Sequence, residues 1–421
     1  MNDITAALMP EEMDARDPLA AFRDRFHFPR SKTGVEEIYF TGNSLGLMPK
    51  TAHRYVEQEL KDWETLAVEA HMNARDPWLP YHELLTEPMA RIIGAKPIET
   101  VVMNSLTVNL HLMLVSFYRP SGKRNKIVIE KGAFPSDQYA VASQLRFHGF
   151  GPEALIELVP RPGESTLRTG DIVEVIEREG STIALVMLGG VNYFTGQAFD
   201  MAAITAAGHA AGAMVGFDLA HAVGNLKLQM HDWNVDFAVW CSYKYLNGGP
   251  GAVGGAFVHE RHARSFDVPR FAGWWGHNKD TRFIMGPDFQ PIEGAEGWQI
   301  SNPPILQMAA LRASLEIFEA AGMAALRAKS EKLTGYLERL IDEIADDRIS
   351  IVTPRDPKER GCQLSIRVRG GDRSLQRSLV SKGAMVDWRE PDVIRAAPAP
   401  LYNSFSDVRD FAAILADSLA A

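Results

Sequence analysis

The sequence is poor in cysteine and has neither a long apolar run nor a dense block of basic residues. Its two cysteines, Cys241 and Cys362, belong to no CxxC pair. That excludes a zinc ribbon or a thioredoxin-like site and favours a reducing compartment. The acidic first residues lack the basic start and apolar block of a signal peptide, and no apolar run is long enough to cross a bilayer. We therefore expect a cytoplasmic protein.

The charge balance is mildly negative. The 421 residues include 44 Lys and Arg against 53 Asp and Glu, which gives a formal net charge of −9. A protein of this sign repels nucleic acid and anionic membranes unless it carries a local basic patch, so neither partner is expected. The length and a hydrophobic content of 46% allow a large core and two domains.

Short apolar runs alternate with helical patterns in the middle of the sequence. Strands are predicted at residues 126–130, 155–159, 182–188, 215–218 and 237–241. Helices are predicted between them, at residues 135–148, 171–179 and 200–211, the last capped by Asp200. This alternation predicts an α/β domain with a mainly parallel sheet sandwiched by helices.

The pattern changes after Asn302-Pro303-Pro304. Residues 306–345 read as helical with a break near Gly322. Short strands at residues 349–352, 363–368 and 384–388 and helices at 373–382 and 406–420 follow, which predicts a smaller α+β domain. We expect three parts: an N-terminal segment, 1–49, that packs with the small domain; a large α/β domain, 50–305; and the C-terminal α+β domain, 306–421.

Two chemically useful side chains follow neighbouring predicted strands. Asp218 ends one buried strand, and Lys244 comes just after the next. Ligands of open α/β sheets bind at the carboxyl ends of strands, so we expect both groups in one crevice. A lysine that forms a Schiff base and a carboxylate that pairs with a pyridinium nitrogen are what pyridoxal 5'-phosphate (PLP) requires. Thr107, at a helix start, could bind the phosphate, and Phe134 could stack on the ring.

Each of these residues has an ordinary structural explanation when taken alone. An Asp after a strand usually serves a turn, a lone lysine usually lies on the surface, and a Phe before Pro usually belongs to the core. Their order and their placement at strand ends favour a PLP site.

Longer runs of sequence resemble the kynureninase family, from about residue 40 to the C-terminal region. These runs are Gly42-Asn-Ser-Leu-Gly46, Leu106-Thr-Val-Asn-Leu-His111, Phe134-Pro-Ser-Asp137, Tyr193-Phe-Thr-Gly196, Gly216-Phe-Asp-Leu-Ala-His-Ala-Val-Gly224, His231-Asp-Trp233, Trp240-Cys-Ser-Tyr-Lys-Tyr-Leu-Asn247, Ser301-Asn-Pro-Pro-Ile305 and Pro400-Leu-Tyr-Asn-Ser404. The resemblance implies the fold type I of PLP-dependent transferases and a homodimer with shared active sites. It also implies hydrolysis of L-kynurenine, or of its 3-hydroxy form, to anthranilate, or 3-hydroxyanthranilate, and L-alanine, in tryptophan degradation and NAD biosynthesis.

The resemblance also implies roles for individual residues. Lys244 would be the Schiff-base lysine, Asp218 the partner of the ring nitrogen, Phe134 the stacking residue, Arg395 the ligand of the substrate carboxylate, and Tyr243 a proton carrier or a phosphate ligand. The remaining cofactor residues would be Leu106, Thr107, Asp137, Gly189, His221, Trp274 and Asn302, and His71 and Asn302 would contact the substrate. Gly189 stands where the family often has a hydroxyl residue near the phosphate, and its N–H would substitute. An apparent one-residue insertion after Lys244 makes Trp274, rather than Trp275, an alignment choice.

Other functions are weighed against this one. Gly249–Gly254 spells GxGxxG, but a strand is predicted after it where a dinucleotide site needs a helix. His259-Glu-Arg-His262 fits no metal motif and is expected to be a solvated loop; no metal is expected. A cysteine desulfurase or an aminotransferase is the nearest alternative enzyme. A desulfurase needs a nucleophilic cysteine on a mobile loop, whereas Cys241 belongs to a predicted strand core and Cys362 starts a predicted strand of the small domain. A non-catalytic scaffold would not need the acid, the lysine and the arginine together.

Overall fold

The computed structural model describes residues 9–420, so residues 1–8 of the predicted N-terminal segment and Ala421 lie outside the described residues. The α-helices are α1 Pro10–Ala15, α2 Ala52–Leu66, α3 Ala70–Asn73, α4 Glu83–Ile93, α5 Leu106–Phe117, α6 Pro135–Phe147, α7 Thr169–Glu179, α8 Met201–Ala210, α9 Glu260–Ala263, α10 Ile305–Ala321, α11 Met323–Glu343, α12 Arg373–Ser381 and α13 Phe405–Leu419. The strands are β1 Ile38–Tyr39, β2 Thr100–Val102, β3 Lys126–Glu130, β4 Leu155–Leu158, β5 Ile183–Gly189, β6 Met214–Asp218, β7 Phe237–Trp240, β8 Gly255–Val258, β9 Ile349–Ile351, β10 Leu364–Val368, β11 Ala384–Met385, β12 Asp387–Arg389 and β13 Val393–Ala396.

A seven-stranded mixed sheet forms the centre of the large part of the molecule. Its strand order is β2-β8-β7-β6-β5-β3-β4. The pairs from β7 through β4 are parallel, and β8 runs antiparallel to both β7 and β2. The predicted α/β architecture with a mainly parallel sheet is confirmed, and the five predicted strands form with each end no more than one residue from its expected position.

Burial explains why these runs become strands. Residues 183–188 of β5 are all buried, as expected of a strand that is covered by helices on both faces. The helix after it starts where the sequence predicts, because the Asp200 side chain accepts a hydrogen bond from the Ala203 N–H. These connections place the carboxyl ends of β3, β5, β6 and β7 along one edge of the sheet.

The C-terminal part carries an antiparallel sheet of order β12-β13-β10-β9. The single strand predicted at residues 384–388 is wrong in detail, since it divides into two strands that serve different sheets. β11 pairs in parallel with β1 of the N-terminal segment, and β12 pairs with β13, a strand that the sequence pattern does not predict. The break follows from a pairing partner that is distant in sequence, which a local pattern does not record.

The N-terminal segment contacts both parts of the molecule. The Asp14 carboxylate accepts the backbone N–H groups of Phe405 and Ser406 at the start of α13, at 2.7 and 3.1 Å. Leu19 and Phe26 instead join the large core that surrounds the main sheet. Among the helices of residues 9–420, none has the length and apolar character to cross a membrane.

Candidate active site

A cleft of about 530 Å³ opens at the carboxyl ends of β3, β5 and β6 and beside the residues that follow β7. The structure brings together in it most of the cofactor residues named from sequence: Leu106, Thr107, Phe134, Asp137, Gly189, Asp218, His221, Tyr243 and Lys244.

Lys244 and Asp218 enter the cleft from adjacent strands. Asp218 is the last residue of β6 and pairs in register with Val239 of β7, as the strand-end argument predicts. The Asp218 Oδ1 atom accepts the Ala220 N–H at 2.7 Å. The Lys244 Nζ atom lies 5.7 Å from the centroid of the Phe134 ring and 5.8 Å from that of Tyr243. The amine therefore lies close to two aromatic rings.

The backbone around Lys244 is packed too closely for a side chain at one neighbouring position. The Gly46 N–H donates to the Tyr243 carbonyl oxygen at 2.8 Å. A Cβ atom on Gly46 would lie 2.3 Å from the Lys244 carbonyl oxygen. Only glycine allows this approach, which gives a physical reason for the glycine that ends the Gly42–Gly46 run.

Three buried carboxyl groups face one another at the sheet edge. Burial raises the pKa of Asp218, while hydrogen bonds from Asp137 and from the Ala220 N–H and the charge of Lys244 oppose the rise. Burial, followed by the charge of Asp218, raises the pKa of Asp137 well above its usual range. Burial also raises the pKa of Glu130 to about 7. Asp137 therefore holds a proton more readily than Asp218, whose ionised form is favoured by the charge of Lys244.

The start of α5 offers hydrogen-bond donors to the cleft. Leu106 and Thr107 are its first two residues, where backbone N–H groups have no partner within the helix. The helix dipole adds partial positive charge at this end. The Thr107 side chain, with its hydroxyl group, belongs to this first turn of α5 and lines the cleft. This arrangement suits an anionic group such as a phosphate.

His221 and Tyr243 are both kept neutral by their surroundings. Burial, followed by the charges of Lys244 and Arg395, lowers the pKa of His221 well below its usual range, and its Nδ1 atom is buried without a partner. Burial, followed by the effect of Cys241, raises the pKa of Tyr243. A neutral phenol can donate a proton but does not act as a base at neutral pH.

Arg395 lies on β13 and does not line the cleft itself, and its side chain is 1% exposed. One terminal nitrogen donates to the Tyr193 carbonyl oxygen at 2.6 Å, and the other forms an ion pair with Asp387. The Nε atom is buried and has no partner. An unpaired buried N–H of a guanidinium is a suitable donor for a carboxylate ligand.

Besides Arg395, three other residues named from the resemblance do not line this cleft in the single subunit. Trp274 is 39% exposed, and its indole N–H donates to the Arg282 carbonyl oxygen at 3.1 Å. Asn302 is exposed. The His71 ring makes an edge contact with Trp78, with centroids 5.3 Å apart, and its Nδ1 atom lies 3.0 Å from the Val68 carbonyl oxygen.

Gly189 lines the cleft at the end of β5. It pairs with Asp218 across β5 and β6, and its N–H contacts the Glu130 carboxyl group. The N–H that was expected to bind the phosphate is thus already engaged, which leaves the helix start at Leu106 and Thr107 as the better-supported phosphate site.

Glu130 and Tyr193 also line the cleft, although neither was selected from the sequence. Glu130 is the last residue of β3, so the strand-end rule that selected Asp218 would have selected it as well. Tyr193 lies in a turn after β5, and its ring makes an edge contact with Phe134 at 5.2 Å between centroids. It begins one of the runs that resemble the kynureninase family, but the resemblance gave it no role.

The GxGxxG run, the histidines of residues 259–262 and the two cysteines were the other candidates for function in the sequence. Gly249–Gly254 is followed by β8 and not by a helix, which disfavours a dinucleotide site. The solvated loop expected at residues 259–262 is wrong, because His259 is buried and precedes α9 and His262 Nε2 lies 2.7 Å from the buried Asp236. Burial raises the pKa of the Cys241 and Cys362 thiols, the latter to about 12, so neither is suited to act as a nucleophile.

Comparisons with known proteins agree with the geometry. Residues 326–415 match the family described as the kynureninase C-terminal domain. The protein is 64% identical over 401 residues to a kynureninase of Koribacter versatilis (strain Ellin345), covering 95% of each sequence. It is also 64% identical to a kynureninase of Myxococcus xanthus (strain DK1622), covering 95% of this sequence and 94% of the relative.

Solved structures support the fold. A C-DES mutant with glycine linked covalently to its PLP cofactor matches with a TM-score of 0.76 at 19% identity, covering 90% of this protein and 96% of that one. The cysteine desulfurase CsdA of Escherichia coli matches with a TM-score of 0.75 at 17% identity, covering 96% and 98%. The fold is thus that of the PLP-dependent fold type I enzymes.

Proposed function

The chain belongs to the kynureninase family, and from that premise we propose that the cleft around Lys244 hydrolyses the bond between the β- and γ-carbons of L-kynurenine to give anthranilate and L-alanine. The protein is a PLP-dependent hydrolase. The observation that carries the assignment of the site is the meeting of the Lys244 amine and the Asp218 carboxylate at the ends of adjacent strands.

The residues of the cleft fit PLP. The unpaired polar atoms Asp137 Oδ1 and His221 Nδ1 are buried there, and an apolar core does not leave such atoms unpartnered without cost. We propose that Lys244 holds the cofactor covalently, Asp218 pairs with its ring nitrogen, Leu106 and Thr107 receive its phosphate, and Phe134 covers its ring. When bound, PLP supplies an electron-withdrawing ring that stabilises negative charge on carbon next to the substrate amine.

The protein's own groups then divide the work of positioning and proton transfer. Arg395 binds the substrate carboxylate through its free Nε. Lys244, once its amine is released, removes a proton from the substrate α-carbon and returns it elsewhere in the cleft. Tyr243 acts as a proton carrier, a role supported by its place in the cleft and by the Lys244 amine, which lies 5.8 Å from the centroid of its ring. Water adds to the substrate ketone before the carbon–carbon bond breaks.

We propose further that the active protein is a homodimer with shared sites. Trp274 and Asn302 are exposed and outside the cleft of their own subunit, which supports their acting in the cleft of a second copy, together with His71. The division into parts 1–49, 50–305 and 306–421 and a cytoplasmic location are kept as proposals.

The test mixes purified protein, PLP and L-kynurenine and follows the fluorescence of anthranilate. The proposal expects anthranilate and L-alanine in equal amounts, and no product with Lys244→Ala. A parallel reaction with L-cysteine tests the desulfurase alternative, which the buried thiols do not support. Protein that binds PLP but releases no anthranilate from L-kynurenine would contradict the assigned reaction.

A further inference from the structure

Glu130 is a buried carboxyl group at the edge of the cleft, and the roles proposed above do not use it. It ends β3, is 5% exposed and lines the same cleft as Asp218. Its Oε2 atom accepts the Asn192 side-chain N–H at 2.9 Å, and its carboxyl group also accepts the Gly189 N–H. Both bonds reach the end of β5 or the segment that follows it, so Glu130 connects one strand end to the next.

The orientation of the Asn192 amide is fixed by its own turn. Its Oδ1 atom accepts the backbone N–H groups of Phe194 and Thr195, at 2.9 and 2.8 Å, and the Thr195 hydroxyl at 3.1 Å. An amide held in this way cannot rotate to exchange its oxygen and nitrogen. The NH₂ group must therefore face Glu130, and only an acceptor can satisfy it there.

The turn of residues 192–196 supports the C-terminal part of the molecule through three consecutive carbonyl oxygens. That of Tyr193 accepts from Arg395 at 2.6 Å and from Gln363 at 3.2 Å. Those of Phe194 and Thr195 accept the hydroxyls of Ser365 and Thr353, at 2.5 and 2.6 Å. A shift of the turn would thus be passed to the guanidinium of Arg395.

We propose that Glu130 is a positioning residue, which through Asn192 fixes the turn of residues 192–196 and through that turn sets the orientation of Arg395 for the substrate carboxylate. This inference rests on the proposed function, in which Arg395 binds that carboxylate. Glu130 touches neither substrate nor reacting atoms in this role; it acts through the hydrogen bonds of its neighbours.

The test exchanges the polarity of the Glu130–Asn192 bond. Glu130 accepts hydrogen bonds from the Asn192 amide and the Gly189 N–H. E130Q places an N–H donor against one of these two donors. N192D keeps the Oδ1 acceptor that holds the turn, but it replaces the NH₂ group by a second oxygen, which faces the Glu130 carboxylate. In the E130Q/N192D double variant the introduced amide donates to the introduced carboxylate and still accepts from Gly189, so the bond is restored in reverse. E157Q, an exposed position on the adjacent β4, is the matched control.

Kinetics are measured at about pH 8.5, above the pKa of about 7 that burial gives Glu130 beside Asp218, so that its carboxylate is ionised. Each single variant is expected to raise KM for L-kynurenine about 10-fold, equivalent to about 1.4 kcal/mol, with a smaller change in kcat. The double variant is expected to return KM to within about 3-fold of wild type, because the hydrogen bond is restored. E157Q is expected to match wild type.

Hydrogen exchange of the cofactor-free protein gives a second readout that does not depend on turnover. Amides of residues 190–197 are expected to exchange about 10-fold faster in each single variant and at the wild-type rate in the double variant. Unchanged KM and exchange in the single variants, or a double variant as impaired as the worse single one, would overturn the inference. If a single variant does not fold, the double variant decides alone. A KM about 10-fold above wild type in the double variant would then contradict the proposed hydrogen bond.

Failure of the proposed function can be told apart from failure of this inference. A wild-type protein that does not cleave L-kynurenine contradicts the function, and the exchange measurements then decide whether Glu130 and Asn192 hold the turn.

Discussion

Replacing Arg395 by lysine tests the proposed recognition of the substrate carboxylate. One terminal nitrogen of the guanidinium donates to the Tyr193 carbonyl oxygen, and the other forms an ion pair with Asp387. The Nε atom has no partner and is the donor proposed for the substrate carboxylate. A lysine ammonium is a single charged centre and cannot take all three positions. Asp387 keeps a second partner in Arg389 at 3.1 Å, so R395K does not leave the Asp387 carboxylate without a cation.

The magnitude follows from the bond that is lost. A hydrogen bond to a charged group contributes about 1.5–3 kcal/mol, so R395K is expected to raise KM for L-kynurenine by about 10- to 150-fold. The carboxylate is bound alike in the ground state and the transition state, so kcat should change much less. The assay is the initial rate of anthranilate fluorescence over a range of substrate concentrations, with thermal unfolding to confirm that the variant folds.

An analogue that lacks the α-carboxylate provides the control. Wild-type protein should bind it about 10- to 150-fold more weakly than L-kynurenine, and R395K should bind it about as well as wild type does. Equal losses for the analogue and for L-kynurenine would refute the reasoning, because Arg395 would then act only through the fold.

Three further outcomes follow from the structure. Tyr243→Phe removes the protonated phenol and is expected to lower kcat about 100-fold with little change in PLP affinity; a loss of PLP affinity with normal kcat would instead assign Tyr243 to the phosphate. PLP at about 100 times its Kd should raise the unfolding free energy by about 2.7 kcal/mol in urea titrations, and no rise would mean that the native cleft does not bind it. The buried Asp236 has a lowered pKa because, although burial opposes ionisation, hydrogen bonds from His209 and His262 and the charge of Arg261 outweigh it. Its stabilisation is therefore present above the unfolded pKa of about 3.9 and is lost as the pH falls further, so Asp236→Asn should cost about 3 kcal/mol at pH 7 and progressively less below about pH 4. A cost that does not depend on pH would contradict this account of Asp236.

The parts of the site that the sequence predicts are those that follow from local rules. Asp218 and Lys244 could be placed together because both follow predicted parallel strands, and Asp200 could be placed at a helix start from its residue type. The same strand-end rule applies to Glu130, although none of the runs that resemble the kynureninase family contains it.

The remaining parts depend on contacts that local patterns do not contain. β11 separates from β12 because its partner, β1, lies in the N-terminal segment. The orientation of Arg395 depends on Tyr193 and Asp387, which reach it from a turn and from a neighbouring strand. Trp274 and Asn302 are exposed in one subunit, so their proposed roles need a second copy.

Borohydride reduction of the PLP-loaded protein, followed by peptide mass mapping, tests the central claim most directly. Reduction makes the bond between a lysine amine and the cofactor permanent, so the attached lysine can be identified. The account predicts a pyridoxyl phosphate group on Lys244, at about one per subunit, and none in Lys244→Ala. A label on another lysine in protein that cleaves L-kynurenine would contradict the account.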